Sequence, residues 1–281
     1  MTVGLALRDT QSQVDIKGMD LGLTGRVALV AAASRGLGRA VAEALAAEGA
    51  TLILCARHAE ALCETCDTIR EKSGVSVLGV PADVSVAADV ERVVQQGLER
   101  FGRIDILVTN AGGPVAGSFE SLSREVWEET THLTLTSVLD LTRAVLPGMK
   151  ERRWGRILNI TSIAVKQPIP NLILSNSLRA AVTGFARTLA NEVAPFGITV
   201  NNIMPGYTRT ERVEQLSQQM AAREGITQAE ALARWEEEIP MKRLAEPREF
   251  ADVAAFLVSE RAGYITGSSI AVDGGWIRAL L

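Results

Sequence analysis

The sequence predicts a single-domain α/β fold in which a seven-stranded parallel sheet carries helices on both faces. Short apolar runs alternate with longer amphipathic segments, and the runs are apolar throughout rather than at every second residue. Strands covered on both faces have this pattern, and a repeated strand-helix-strand order builds a doubly wound parallel sheet. The seven expected strands are 27–33, 51–56, 75–80, 104–109, 156–160, 199–204 and 269–272.

Two segments depart from this rhythm. Residues 1–22 are polar and lack a sustained period, so we expect an N-terminal arm before a domain that spans 23–281. The stretch 207–247 contains no strand pattern but has two helical pieces rich in Glu, Gln and Arg. Ligands of doubly wound sheets bind at the carboxyl ends of strands, so this insertion is either a substrate lid or a solvated helical decoration.

Composition restricts the class of protein. The chain has 281 residues, 47% of them hydrophobic, and a net charge of −4. No basic block favours nucleic acid or an anionic membrane, and no apolar run approaches the roughly 20 residues of a membrane helix. The N-terminal residues also lack the pattern of a secretion signal, and three cysteines make no disulfide framework. We therefore expect a cytoplasmic protein with a small-molecule ligand.

A CxxC pair, Cys63 and Cys66, lies near His58. A structural zinc site usually needs four ligands, and the chain has no second pair of this kind. The two cysteines are three residues apart on an expected helix, so we predict no metal site.

A glycine-containing turn follows the first expected strand and opens a helix. The turn contains Ser34-Arg35-Gly36-Leu37-Gly38, and the helix over 37–48 repeats apolar residues at four-residue spacing. Glycines there let backbone N–H groups approach a pyrophosphate, whose charge the helix N-terminus stabilises. The placement indicates a dinucleotide-binding Rossmann fold.

Several further motifs follow in a fixed order: Asp83-Val84, Asn110-Ala111-Gly112, Ser162, Pro205-Gly206 and Thr210. With the glycine turn, they make residues 23–276 resemble the short-chain dehydrogenase/reductase family, most closely its 3-oxoacyl-carrier-protein-reductase-like members. The resemblance implies hydride transfer at a carbonyl or alcohol, and association as a homodimer or homotetramer. The cofactor-binding positions that we predict are Ala32, Ser34, Arg35, Gly36, Leu37, Gly38, Arg57, Asp83, Val84, Asn110, Ala111, Gly112, Arg179, Pro205, Gly206, Thr208 and Thr210.

The glycine turn differs from the family pattern, because Ala31 and Ala32 replace a threonine and the first glycine. Alanine disfavours positive φ, so we expect a right-handed or extended backbone here. We expect dinucleotide binding to survive the change.

The charges near the turn favour NADP(H) over NAD(H). A site for NAD(H) usually places an acid near the end of the second strand, where this chain has Cys55-Ala56-Arg57. Arg35 and Arg57 together suit a 2′-phosphate, which accepts bidentate hydrogen bonds from guanidinium groups. The alternative is that both arginines are merely solvated.

The expected reaction site departs most from the family pattern. Members use Asn, Ser, Tyr and Lys, and the corresponding positions here hold Thr134, Ser162, Ser175 and Arg179. The spacing between the second and third positions is kept, so the residues are substituted rather than shifted. A serine hydroxyl is a much weaker acid than a phenol and is shorter by a ring. Arg179 could still donate to ribose hydroxyls.

Three other proton sources stay open. Tyr207 follows Pro205-Gly206 at a strand end, Lys166 lies four residues after Ser162, and a water could sit between Ser162 and Ser175. The alternatives are an aromatic lid contact for the tyrosine and simple solvation for the lysine.

Three functions are compatible with these residues. The first is an NADP(H)-dependent oxidoreductase with altered acid/base groups, and the second is an NADP(H)-binding sensor or partner subunit without turnover. The third is a reaction without net redox, such as an elimination. Substrate identity cannot be read from the sequence, because one fold serves many substrates.

Overall fold

In the computed structural model, which describes residues 19–280, seven parallel strands form one sheet in the order β3-β2-β1-β4-β5-β6-β7. The chain order reverses between β1 and β4, which leaves a crevice at their carboxyl ends. The predicted fold class is confirmed, whereas residues 1–18 of the expected arm lie outside the described residues. The strands are β1 Val27–Ala31, β2 Thr51–Ala56, β3 Val77–Pro81, β4 Ile106–Thr109, β5 Gly155–Ile160, β6 Ile198–Pro205 and β7 Ser269–Val272.

Helices connect the strands and cover both faces of the sheet. Most end in a left-handed residue or a short 3-10 turn, as helix C-termini commonly do. A π-helical turn, His132–Thr136, joins two of them. The α-helices of the described chain are α1 Gly36–Ala47, α2 Ala59–Ser73, α3 Ala87–Phe101, α4 Arg124–Thr131, α5 Ser137–Arg152, α6 Ile173–Val193, α7 Glu211–Glu224, α8 Gln228–Glu238 and α9 Pro247–Leu257.

The near-continuous apolar runs of the sequence correspond to strands that are buried on both faces of the sheet. Every residue of β1 and β5 is buried, because helices pack on both sides of the sheet. One core cluster includes Leu45 and Phe250 and the other includes Val93 and Leu189. Each such side chain contributes about 1.5–3 kcal/mol by leaving water. The edge strand β7 is only partly covered.

The insertion between β6 and β7 has the two expected helices, α7 and α8. Thr227 and Glu230 form a capping box that starts α8. Val213, Trp235 and Leu244 are buried together beneath the two helices. The insertion therefore has its own small apolar core and is held as a unit above the carboxyl end of β6. No helix among residues 19–280 is both long and apolar enough to span a lipid bilayer.

Candidate active site

A cavity of about 520 Å³ lies at the carboxyl ends of the central strands, with the first turns of α7 on one side. Almost every predicted site residue lines it, although these residues come from most of the chain. Gly38 and Thr134 are the predicted residues that do not. The lining includes Ala32, Ser34, Arg35, Gly36, Leu37, Arg57, Asp83, Val84, Asn110, Ala111, Gly112, Ser162, Ser175, Arg179, Pro205, Gly206, Tyr207, Thr208 and Thr210.

The glycine turn at the start of α1 forms a backbone cradle. Gly36 has a φ of 57°, which L side chains rarely adopt. A Cβ on Gly38 would lie 2.3 Å from the carbonyl oxygen of Ala32, so only glycine fits there. No side chain caps the N-terminus of α1. Its first N–H groups are thus free to bind an anion, which suits the pyrophosphate of a dinucleotide.

Our expectation for the backbone at Ala32 is wrong. Ala32 has a φ of 49°, in the left-handed region that alanine disfavours. The cost is of the order of 1–2 kcal/mol. The turn is nevertheless held, because Ala33 N–H donates to the Cys55 carbonyl at 3.1 Å and the Asn110 amide donates to the Ala32 carbonyl at 3.5 Å. Tertiary contacts thus override the local preference, and β1 ends at Ala31 rather than at residue 33.

The two candidate phosphate-binding arginines differ in their partners. Arg35 forms an ion pair with Glu211 at the start of α7, at 2.5 Å, and both side chains are about half exposed. Among residues 19–280, Arg57 forms no ion pair, and Asp83, a carboxylate that lines the cavity with it, accepts a hydrogen bond from Ser85. Arg57 is therefore the guanidinium that is free to bind a 2′-phosphate. Arg35 instead joins the glycine turn to the start of α7.

Ser162, Ser175 and Arg179 line the cavity as well. Ser162 lies two residues after β5, and its Oγ accepts a hydrogen bond from Ala164 N–H at 3.1 Å. The serine hydroxyl hydrogen stays available to donate to a ligand. Ser175 and Arg179 lie one turn apart on α6, so both project from the same face. Arg179 Nη1 donates to the Ile160 carbonyl at 2.7 Å, which places its guanidinium beside the end of β5.

Thr134 lies in the π-helical turn between α4 and α5. Its side chain is buried, and its Oγ1 atom has no hydrogen-bond partner among the described residues. A single π-helical turn within a longer helix is frequent at functional sites. The hydroxyl does not line the cavity, so a role for Thr134 would have to be indirect.

Tyr207 and Lys166, the other candidate proton sources, lie where the alternative to catalysis would place each of them. Tyr207 stacks on Trp235, with ring centroids 4.6 Å apart, and meets the edge of Trp276. Burial, together with the charge of Glu238, raises the Tyr207 pKa to about 12. This packing matches the aromatic lid contact, although the ring also borders the cavity. Lys166 is exposed and does not line the cavity, which matches the alternative of simple solvation.

The sequence reasoning missed Arg212, the second residue of α7. Arg212 lines the cavity, and its Nη2 donates to the Pro114 carbonyl at 2.6 Å. Burial lowers the pKa of Arg212. Burial and then the charge of Arg212 lower the pKa of Arg179 to about 10. Its position two residues after the predicted cofactor-binding residue Thr210 could have indicated a place in the site. An arginine in a helix rich in Glu and Gln, however, has the sequence pattern of a solvent-exposed residue.

The cysteines do not form a reactive pair. Cys63 is exposed and Cys66 is buried on α2, and burial raises the pKa of the Cys66 thiol. Between residues 19 and 280 there is no group of three His, Cys, Asp or Glu side chains that could hold a metal ion.

Comparison with known proteins shows the family. A family model described as enoyl-(acyl carrier protein) reductase matches residues 31–277. The 3-oxoacyl-acyl-carrier-protein reductase FabG of Aquifex aeolicus is 34% identical over 257 residues, which cover 92% of this chain and 99% of that protein. Dehydrogenase/reductase SDR family member 4 of Sus scrofa is 35% identical over 254 residues, 90% of this chain and 88% of that one.

A solved structure agrees with these relatives. L-sorbose reductase from Gluconobacter frateurii, crystallised with NADPH and L-sorbose, superposes with a TM-score of 0.89. Its sequence is 37% identical, and the match covers 93% of this chain and all of that one. A doubly wound sheet with a glycine turn and a serine at the end of β5 defines a nucleotide-dependent oxidoreductase class. The chain belongs to the short-chain dehydrogenase/reductase family, within which it is 3-oxoacyl-carrier-protein-reductase-like.

Proposed function

We propose that this protein is an NADP(H)-dependent oxidoreductase that interconverts a carbonyl and an alcohol with non-standard acid/base residues. The observation that carries the proposal is one cavity lined both by the glycine turn and by Ser162. The 3-oxoacyl-reductase-like relatives and the sorbose reductase solved with NADPH support it.

The residues of the cavity fit NADP(H). The turn around Gly36 and the uncapped start of α1 would hold the pyrophosphate, and Arg57 would bind the 2′-phosphate. Asp83 and Val84 line the wall near Arg57 and would contact the adenine. Asn110 and Thr210 would lie toward the nicotinamide end.

In the proposed mechanism, the bound nicotinamide supplies or accepts the hydride. Ser162 donates its hydroxyl hydrogen to the substrate oxygen, because its own Oγ is already held by Ala164 N–H. Ser175 lines the same cavity and would relay a proton through water to that oxygen. Arg179 holds the end of β5 through the Ile160 carbonyl and adds positive charge where the oxyanion develops.

A second candidate is an NADP(H)-binding protein without turnover, such as a redox sensor or a partner subunit. The joint presence of Ser175 and Arg179 favours it, because neither side chain is a good proton donor near neutral pH. Arg179 keeps its proton up to about pH 10. In this second candidate function, the glycine turn would bind the dinucleotide, and Ser162, Ser175 and Arg179 would carry out no reaction.

Two measurements test the proposal. NADPH is titrated into the protein by fluorescence, and NADPH oxidation is then followed with ketones and 3-oxoacyl thioesters. Binding with turnover supports the oxidoreductase, whereas binding without turnover on the whole panel supports the second candidate. An absence of NADPH binding would contradict both.

A double substitution, Ser175→Tyr with Arg179→Lys, asks whether the site is a degraded dehydrogenase. General acid catalysis contributes about 10²–10⁴-fold, so we expect the ketone reduction rate to rise by at least about tenfold. Unchanged rates with NADPH binding intact would indicate a repurposed pocket. The proposal also includes a homodimer or homotetramer, which light scattering of the purified protein would measure.

A further inference from the structure

Two guanidinium groups line the cavity without an ion-pair partner among residues 19–280. Arg179 reaches it from α6 and Arg212 from the first turn of α7, and each donates one hydrogen bond within that part of the chain, to a backbone carbonyl. A guanidinium has five N–H donors, so most of the donors on both groups have no protein acceptor among residues 19–280. Neither arginine forms an ion pair within that part of the chain.

The two positive charges are close enough to act on each other. The charge of Arg212 is one of the causes that lower the Arg179 pKa. Like charges brought together in a partly dehydrated site cost free energy unless an anion compensates them. The carboxylates in the cavity lining are Asp83 and Glu211. Both are engaged, since Asp83 accepts from Ser85 and Glu211 pairs with Arg35.

Arg212 is also held in place across the cavity. Its guanidinium packs so closely on Gly113 that a Cβ there would lie 2.4 Å from Nε. The contact with the Pro114 carbonyl ties α7 to the loop after β4. A side chain fixed in this way has lost much of its conformational entropy before a ligand arrives, which favours tight binding of a complementary group.

We propose that Arg179 and Arg212 bind an oxyanion of the substrate itself, so that the reaction takes a carbonyl or alcohol compound that also carries a carboxylate. This inference rests on the proposed function. The planar fork of a guanidinium matches a carboxylate in a bidentate geometry, and two forks would fix its orientation. Ser162 would then receive the substrate oxygen at the end of β5, beside Arg179.

The competing occupant is a phosphate of the dinucleotide. The glycine turn and Arg57 would form an anion site at the ends of β1 and β2, whereas Arg179 bonds the end of β5 and Arg212 bonds Pro114 in the loop after β4. Arg212 is the nearer of the two to Arg57, because Arg57 lies against Gly112 and Arg212 packs on Gly113. The NADP⁺ affinity of Arg212→Gln therefore decides between a dinucleotide phosphate and a substrate carboxylate. A neutral nicotinamide ribose would leave both guanidinium charges uncompensated.

The test uses pyruvate, acetoacetate and levulinate, each beside its neutral methyl ester. Calorimetry measures their binding to the full chain saturated with NADP⁺, where reduction cannot occur, and NADPH oxidation measures turnover. We expect at least one acid to bind about tenfold more tightly than its ester. Arg212→Gln should abolish that difference, Arg212→Lys should restore part of it, and NADP⁺ affinity should change less than about twofold.

Arg209→Gln is the matched control, because Arg209 lies three residues earlier, is half exposed and pairs with Glu236 and Glu246 outside the cavity. It should leave the acid preference intact. Equal binding of acids and esters would overturn the inference, and so would a tenfold loss of NADP⁺ affinity in Arg212→Gln with the acid preference kept. Failure of the dinucleotide to bind would instead contradict the proposed function. Calorimetric titration of the acids and their esters into the dinucleotide-free protein would then still test whether Arg179 and Arg212 bind a carboxylate.

Discussion

The two ends of the cavity differ in the groups that would contact a ligand: backbone groups near β1 and side chains near β5. At the end near β1, the main contacts come from backbone and glycine, and the geometry fits a dinucleotide even though Ala32 replaces a glycine. At the end near β5, the proposed chemistry depends on side chains, those of Ser162, Ser175 and Arg179. Gly38 cannot be replaced without moving the turn, because a Cβ there would lie 2.3 Å from the Ala32 carbonyl oxygen. A side chain at the β5 end can be exchanged without such a backbone clash. The two ends therefore differ in how far substitution can change their chemistry while the fold is kept.

The largest expected effect is at the β5 end. Ser162→Ala removes the hydroxyl that would hold the substrate oxygen, and removing one such donor typically costs about 10²–10³-fold in kcat. We expect a loss of that size in NADPH oxidation, with NADPH affinity unchanged within about twofold. Ser177→Ala is the control, since Ser177 is exposed on the same helix as Ser175. An equal loss of cofactor affinity in Ser162→Ala would show that the two ends are not separable.

The next effect is at the β1 end. Gly38→Ala adds a Cβ 2.3 Å from the Ala32 carbonyl and 2.9 Å from the Asn110 amide nitrogen, so the turn must move. Overpacking costs about 1–3 kcal/mol, which corresponds to a loss of roughly 5–150-fold in NADPH affinity if the whole cost falls on the bound state. Fluorescence titration measures the affinity, and circular dichroism checks the fold. Gly184→Ala, where no atom lies within 4 Å of the new Cβ, should bind normally.

A smaller effect concerns cofactor choice within the β1 end. Arg57→Gln should reduce the preference for NADPH over NADH by about tenfold, because one charge-assisted contact to the 2′-phosphate is lost. Arg35→Gln should have less effect, since Arg35 already pairs with Glu211 on the lid. Titrations with both dinucleotides give the ratio. A larger change in Arg35→Gln than in Arg57→Gln would reverse our assignment of the two arginines.

The sequence predicted the sheet well because apolar runs report burial on both faces directly. Strands 51–56 and 269–272 match β2 and β7 residue for residue. The sequence could not predict the conformation of Ala32. The hydrogen bonds that hold it, from Ala33 to Cys55 and from Asn110 to Ala32, join segments far apart in the chain. Arg212 was missed for a related reason. Only the tertiary structure shows that its guanidinium turns from the lid toward Pro114 rather than toward water.

The smallest expected effect is on stability, and it tests whether the β5 end is tuned for a ligand rather than for folding. Burial and the neighbouring Arg212 lower the Arg179 pKa to about 10, so below pH 10 folding must place a charge where it is disfavoured. Above pH 10 the unfolded chain binds more protons than the folded one, so this cost shrinks as the pH rises. Arg179→Met should therefore stabilise the ligand-free protein at pH 7. The gain should be only about 1 kcal/mol, because the variant also loses the hydrogen bond to Ile160.

Urea denaturation at pH 7 and at pH 10.5 measures this gain, which should be smaller at the higher pH. Arg187→Met provides the matched control, because Arg187 is exposed on the same helix and also donates to a carbonyl, that of Gly267, at 3.2 Å. Removing Arg187 relieves no buried charge, so it should be neutral or slightly destabilising at both pH values. If Arg179→Met is instead destabilising by more than about 1 kcal/mol at pH 7, the guanidinium supports the fold. The role of Arg179 would then be structural rather than the binding of a ligand.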